Sequence, residues 1–261
     1  MSKVLYEVVN NIAKITLNNP KKRNMLDEET SSHLVDFIKA AEADQDVVAV
    51  LITGSGSYFC AGGQLSEIKP AKKKLKTIYS GFLSVVHCTL PTIVALNGPA
   101  IGAGFNMALA CDVRIMSEEA VLDPKFFRLG LHPGGGCSWM LRRLCGWNVA
   151  ASLLLFSQPL SAHEAVEKGL AWKSVKKEDL LEAAMAYTDA IRHLPKELLV
   201  RTKKTLLAAD ASCHINDILE METQEQIWAL QQPFAKKAIA TVSEKIRNSN
   251  HVQDMTSERF P

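Results

Sequence analysis

Two short glycine-bearing stretches of this 261-residue chain could do chemistry with their backbone alone. The first, YFCAGGQLSEI (58–68), turns through Ala61-Gly62-Gly63 between an apolar run and a polar, helix-compatible segment. The second, TIVALNGPAIGAGFNMALACDVRI (92–115), carries Gly98, Gly102 and Gly104 ahead of a helical pattern. Glycine lets a ligand come close to the main chain and adopts dihedrals closed to other residues. A glycine turn ahead of a helix also offers free N–H groups at the positive end of the helix dipole. Two such turns brought together could aim two donors at one oxygen, an oxyanion hole. Each donor in such a site is typically worth about 3–4 kcal/mol to a transition state. Neither stretch fits GxxxxGK[ST], and the second lacks GxGxxG spacing, so dinucleotide binding is unsupported.

Turns of this kind need buried strands to hold them. VVAVLITG (47–54) is a continuous apolar run rich in β-branched residues, as in a strand of a parallel sheet covered on both faces. TIVALNG (92–98) repeats the pattern, and VRIMS (113–117) follows as a further strand. AVLDPKFFRLGLHPGGG (120–136) mixes a short strand with a glycine-rich loop. Near the start, VLYEVV and IAKITL flank Asn10-Asn11 and read as paired strands. Leu34, Phe37, Ile38 and Ala41 give Asp27–Ala43 a helical period, with Asp27 as N-cap. From Trp139 helices dominate.

Short β–β–α units recurring in this way predict an α/β spiral core over residues 1–195. Residues 196–261 form a separate C-terminal region, helical in pattern to about 248 with charged faces and no strand candidate. The basic KPAKKKLK (69–76) reads as a solvated loop or as a lid over an anionic ligand.

With 47% apolar residues the chain can bury a substantial core. No 18-residue apolar run predicts a membrane span, and MSKVLYEVVNN lacks the apolar stretch of a signal peptide. Thirty basic and 28 acidic residues nearly cancel, which gives no reason to expect a nucleic-acid partner. The six cysteines include no Cys-x-x-Cys pair, so they suggest neither a metal site nor a disulfide framework. A reducing, cytoplasmic setting is the expectation.

FCAGGQL, then NGPAIGAGFNMALACDVRI, then FFRLGLHPGGG, in that order, resemble the crotonase superfamily of enoyl-CoA hydratases and isomerases. The resemblance spans nearly the whole chain. It implies a β–β–α spiral core and a C-terminal helical region used in assembly of a homotrimer or homohexamer. It also implies acyl-CoA thioester substrates, with coenzyme A part of the substrate and no separate cofactor or metal. The two oxyanion-hole amides would be those of Gly63 and Ala103. Coenzyme A would lie along NPKKRNML, with Lys22 and Arg23 meeting its phosphates. Met25, Ala61 and Leu65 would line the same cleft.

The sequence departs from the hydratase pattern at the acid–base pair. Hydratases use two glutamates, and the matching positions here are Asn106 and Phe126. An amide and a phenyl ring cannot exchange a proton near pH 7. Hydration by the two-glutamate route is therefore not expected. Asp123, three residues before Phe126, is the first replacement candidate, in a stretch expected to face the pocket. His132 is the second, because imidazole titrates in the useful range. His87 and Glu67 are weaker candidates. The resemblance thus implies an acyl-CoA thioester-processing enzyme, a hydratase/isomerase-like lyase. A relative using the same enolate stabilisation for decarboxylation or thioester hydrolysis, and a non-catalytic acyl-CoA binding protein, are the alternatives.

Overall fold

Strands buried on both faces form the centre of the fold. In the computed structural model, which describes residues 2–63, 72–212 and 214–257 (backbone only for 72–74 and 247–257), the chain divides into two compact units, 1–196 and 197–261. Leu65 and Glu67 lie outside the described residues.

The first unit opens with an antiparallel pair, β1 (Val4–Val9) and β2 (Ile12–Leu17), joined at Asn10-Asn11. Both asparagines hold a positive φ, a conformation asparagine tolerates better than most residues. Helix α1 (Glu28–Ala43) then crosses to β3 (Ala49–Gly54), and α2 (Lys72–Val86) crosses to β4 (Thr92–Leu96). The tiny β5 (Ala100–Ile101) leads into α3 (Ala103–Ala110), which returns the chain to β6 (Val113–Ser117). After β7 (Val121–Asp123) come α4 (Cys137–Leu155), β8 (Leu160–Ser161), α5 (Ala162–Glu167), β9 (Lys173–Val175) and α6 (Leu180–Thr188).

The main sheet runs β1-β2-β3-β4-β6-β9, parallel from β2 onward, and β5-β7-β8 form a second, three-stranded sheet. All five residues of β4 and the first five of β3 are buried, as expected for strands covered by helices on both faces. The helical stretch expected from Trp139 onward begins with α4, two helical segments that meet in a kink at Gly146, where φ is 73°.

Asp27 does cap α1. Its carboxylate accepts from the Thr30 N–H at 2.9 Å and the Thr30 hydroxyl at 2.8 Å, and meets Lys3 Nζ at 2.5 Å. Burial pushes its pKa up, but the Lys3 ammonium and the Thr30 donors outweigh burial and hold it below the usual carboxylate range. Asp27→Ala is expected to lower unfolding free energy by about 1 kcal/mol, checked by urea melts at pH 7. The folded-state value is depressed, so this stabilisation is complete above the unfolded carboxylate range. It disappears as pH falls through the lowered folded value.

The second unit is helical: α7 (Lys196–Ala211, its first residue in the first unit), α8 (Ile215–Gln231) and α9 (Pro233–Ser257). Arg201 bridges Glu197 and Glu225 there, and its guanidinium lies over the Trp228 ring. Among the described residues no helix is long and apolar enough to cross a membrane.

Candidate active site

The loop after β3 is clamped before it reaches its glycines. Asn24 Nδ2 donates to the carbonyls of Ser55 and Tyr58 at 2.9 and 2.8 Å. From the next strand over, Asn97 Nδ2 donates to Gly56 and Tyr58, while its Oδ1 accepts from the Gly54 N–H. Asn24 and Asn97 are both at least nine-tenths buried, so these bonds are shielded from water. The chain then passes through buried Phe59 and Cys60 into Ala61-Gly62-Gly63. Segment 23–26 runs alongside, with the Ala61 N–H donating to Arg23 O and the Leu26 N–H to Gly62 O.

The second glycine turn packs directly on the first. The Ile101 N–H donates to Cys60 O at 2.9 Å, and Cys60 bridges to Ala100. A methyl on Gly104 would come within 2.3 Å of Cys60 O, and one on Gly62 within 2.8 Å of Ile101 O. Gly62 and Gly102 also hold φ of +94° and +56°. Glycine is therefore required both for close approach and for conformation. The hinge at Gly102 starts α3 at Ala103, whose N–H falls among the first four of the helix and has no partner within it. Neither the Ala103 nor the Gly63 N–H has an acceptor among the described residues.

Both residues border a cavity of about 950 Å³. Lys21, Lys22, Arg23 and Met25 line it beside the first turn, as does Ala61. Arg23 lies over the Tyr58 ring, 5.2 Å from its centroid. Ile78 and Tyr79 on α2, with Phe126, Leu129 and Leu131, supply an apolar wall, and Lys125 and His132 complete the far side. Burial pushes the Tyr79 phenol pKa up, so it stays protonated and a donor at neutral pH. Among the described residues no group of acids, histidines and cysteines assembles that could hold a metal.

The structure redistributes the acid–base candidates. Asp123 does not line the cavity, contrary to the sequence expectation. It ends β7, and its carboxylate is taken up by the Arg128 guanidinium from the following 3-10 turn, Phe127–Leu129. Only its backbone serves the site, accepting from the Gly102 N–H at 2.9 Å. His132 does line the cavity. Its Nδ1 lies 2.7 Å from Pro133 O. A carbonyl can only accept, so Nδ1 carries the proton and Nε2 is left as the basic nitrogen.

Asn106 is buried and ties α3 to the glycine-rich loop, donating from Nδ2 to Gly134 O at 2.9 Å. Its role here is to hold a loop, while Phe126 joins the apolar wall. Leu65 lies outside the described residues. Cys60, beside the first turn, is no nucleophile, because burial pushes its thiol up to about 12.

Sequence reasoning missed Lys21, Tyr79 and Lys125 as lining residues. For Tyr79 the signal was present: Leu75, Ile78, Tyr79 and Phe82 recur at helical spacing on one face of α2.

Comparison with known proteins is consistent in direction. Residues 7–249 match the family model for enoyl-CoA hydratase/isomerase. A Mycobacterium tuberculosis protein named a probable enoyl-CoA hydratase is 44% identical over 210 residues, covering 78% of this chain and 81% of that one. A crystal structure of an enoyl-CoA hydratase from Bacillus anthracis superposes with a TM-score of 0.88 at 26% identity, covering 93% and 96% of the two chains. A candidate enoyl-CoA hydratase from Thermobifida fusca, solved in complex with CoA, gives 0.79 at 29% identity, covering 88% and 93%.

Proposed function

We infer that this chain, which belongs to the enoyl-CoA hydratase/isomerase family, processes an acyl-CoA through charge build-up on the thioester carbonyl oxygen. The observation that carries this reading is the pair of packed glycine turns. They leave the Gly63 and Ala103 N–H groups without acceptors among the described residues, at the edge of one cavity. When a bond at the α-carbon gives up its electron pair, the carbonyl oxygen takes the negative charge. Two fixed donors stabilise that oxygen more than they stabilise the neutral thioester. Lys22 and Arg23, on the rim beside the first turn, suit the phosphates of coenzyme A.

The proton moved in such a step goes to or from Nε2 of His132, the imidazole of the described cavity lining. Asn106 and Phe126 stand where the two hydratase glutamates would stand, and neither can replace them. The two-glutamate hydration of a simple enoyl thioester is therefore not this protein's reaction. Decarboxylation and isomerisation place an enolate oxygen, and thioester hydrolysis a tetrahedral oxyanion, in the same pair of donors, and none of them needs the two-glutamate pair.

Titration calorimetry is expected to show acetyl-CoA or crotonyl-CoA binding in preference to NAD or ATP. Tighter binding of NAD than of any CoA ester would overturn the reading. A panel of thioesters followed for enoyl absorbance, released CO₂ and free thiol separates the reactions. Crotonyl-CoA hydration is expected to fall well below ordinary enzymatic turnover, which is on the order of 1–1000 per second.

A further inference from the structure

The described lining of the cavity contains four cations, Lys21, Lys22, Arg23 and Lys125, and no carboxylate. Three of them stand together on the turn that follows β2, beside Gly62 and Gly63. Lys125 comes from elsewhere. It follows β7, whose Asp123 pairs with Ile101 and accepts from the Gly102 N–H, so it stands beside the second glycine turn. Its companions in the lining are Phe126, Leu129, Leu131 and His132, a largely apolar setting in which an ammonium gains little by itself.

Two further facts single out this lysine. The one carboxylate in its segment, Asp123, is already neutralised by Arg128, and Lys125 has no ion-pair partner among the described residues. Lys125 also holds φ at +55°, a left-handed conformation that a lysine adopts at a cost and that asparagine or glycine would adopt more readily. Backbone strain of this kind persists where the surroundings over-determine it, and it clusters at ligand sites.

We propose that Lys125 receives a carboxylate carried by the acyl group, so that the substrate is the CoA thioester of a dicarboxylic acid. The proposal rests on the acyl-CoA reading above and adds the chemical class of the acyl chain. The thioester carbonyl sits between the two turns, the coenzyme A phosphates meet the cluster at Lys21–Arg23, and the second carboxylate reaches across the Ala103 side to the Lys125 ammonium. An ammonium–carboxylate contact at a partly desolvated wall discriminates against a neutral chain of the same shape.

Binding of succinyl-CoA and glutaryl-CoA to the full chain, each against the neutral isostere ending in an isopropyl group, tests this. At least one dicarboxylic ester is expected to bind roughly tenfold tighter than its isostere, the size of one charge-assisted contact. Lys125→Asn suits the backbone and is expected to bring that ratio to about one, while Lys125→Arg keeps it. A wild-type ratio near one overturns the proposal. So does a ratio that survives Lys125→Asn, which would mean that the lysine serves a phosphate of coenzyme A or nothing. If no CoA ester binds at all, acetyl-CoA included, the acyl-CoA reading fails with it. That result differs visibly from a lost preference among esters that do bind.

Discussion

Ala103→Pro is expected to lower turnover of the active acyl-CoA ester by roughly 10²–10³-fold, the loss seen when one oxyanion-hole donor is removed. Proline deletes this N–H and sets its ring Cδ where the hydrogen pointed, while leaving the helix start intact. Ala103 is the first residue of α3, where proline is tolerated because that N–H has no helical acceptor and the fixed φ suits the first turn. Gly102 before it already holds φ +56° and ψ −113°, outside the α region that proline forbids to its predecessor. The helix should therefore form, and far-ultraviolet circular dichroism and thermal melting should stay near those of the parent. Affinity for the ester should fall less than turnover, because the neutral carbonyl needs the donor less than the oxyanion does. Ala103→Gly, which keeps the N–H, is the control and should retain most activity. Equal turnover in the proline variant would remove the Ala103 amide from the mechanism.

The two turns could be read from the sequence because close backbone packing restricts composition. Gly62, Gly102 and Gly104 are each demanded by a contact or a dihedral, so the letters themselves carry the geometry. The parallel strands were legible for a related reason: a strand buried on both faces has no position turned to water, so AVLITG and TIVAL are apolar but for one threonine each. Side-chain direction was not legible. Asp123 and Lys125 are two residues apart around a proline: the acid expected to face the pocket turns to Arg128, while the lysine, for which the sequence suggested no role, enters the cavity lining. The exit of the chain from β7 decides that outcome. It depends on tertiary contacts, such as the pairing of Asp123 with Ile101, that no local pattern encodes. Asn106 was equally opaque. Its identity ruled out proton transfer, but only the structure gives its Nδ2 a structural task at Gly134.

His132→Asn is expected to cost turnover at least a hundredfold, within the roughly 10²–10⁴-fold range of general acid–base catalysis. Asparagine places an amide Nδ2 close to where Nδ1 now donates to Pro133 O, so the loop keeps its hydrogen bond. What disappears is Nε2, the nitrogen that can exchange a proton with bound substrate. Binding of the CoA ester should be nearly unaffected, which separates lost chemistry from a lost site. Asp123→Asn is the decisive companion. Its carboxylate is paired with Arg128 away from the cavity, so this change should alter turnover by less than about tenfold, through the β7 exit alone. If Asp123→Asn instead matches or exceeds the loss in His132→Asn, proton transfer belongs to β7 and the assignment to His132 is wrong. If both variants keep full turnover, the protein moves its proton with another group. The Tyr79 phenol, protonated and facing the same cavity, would then be the next to change.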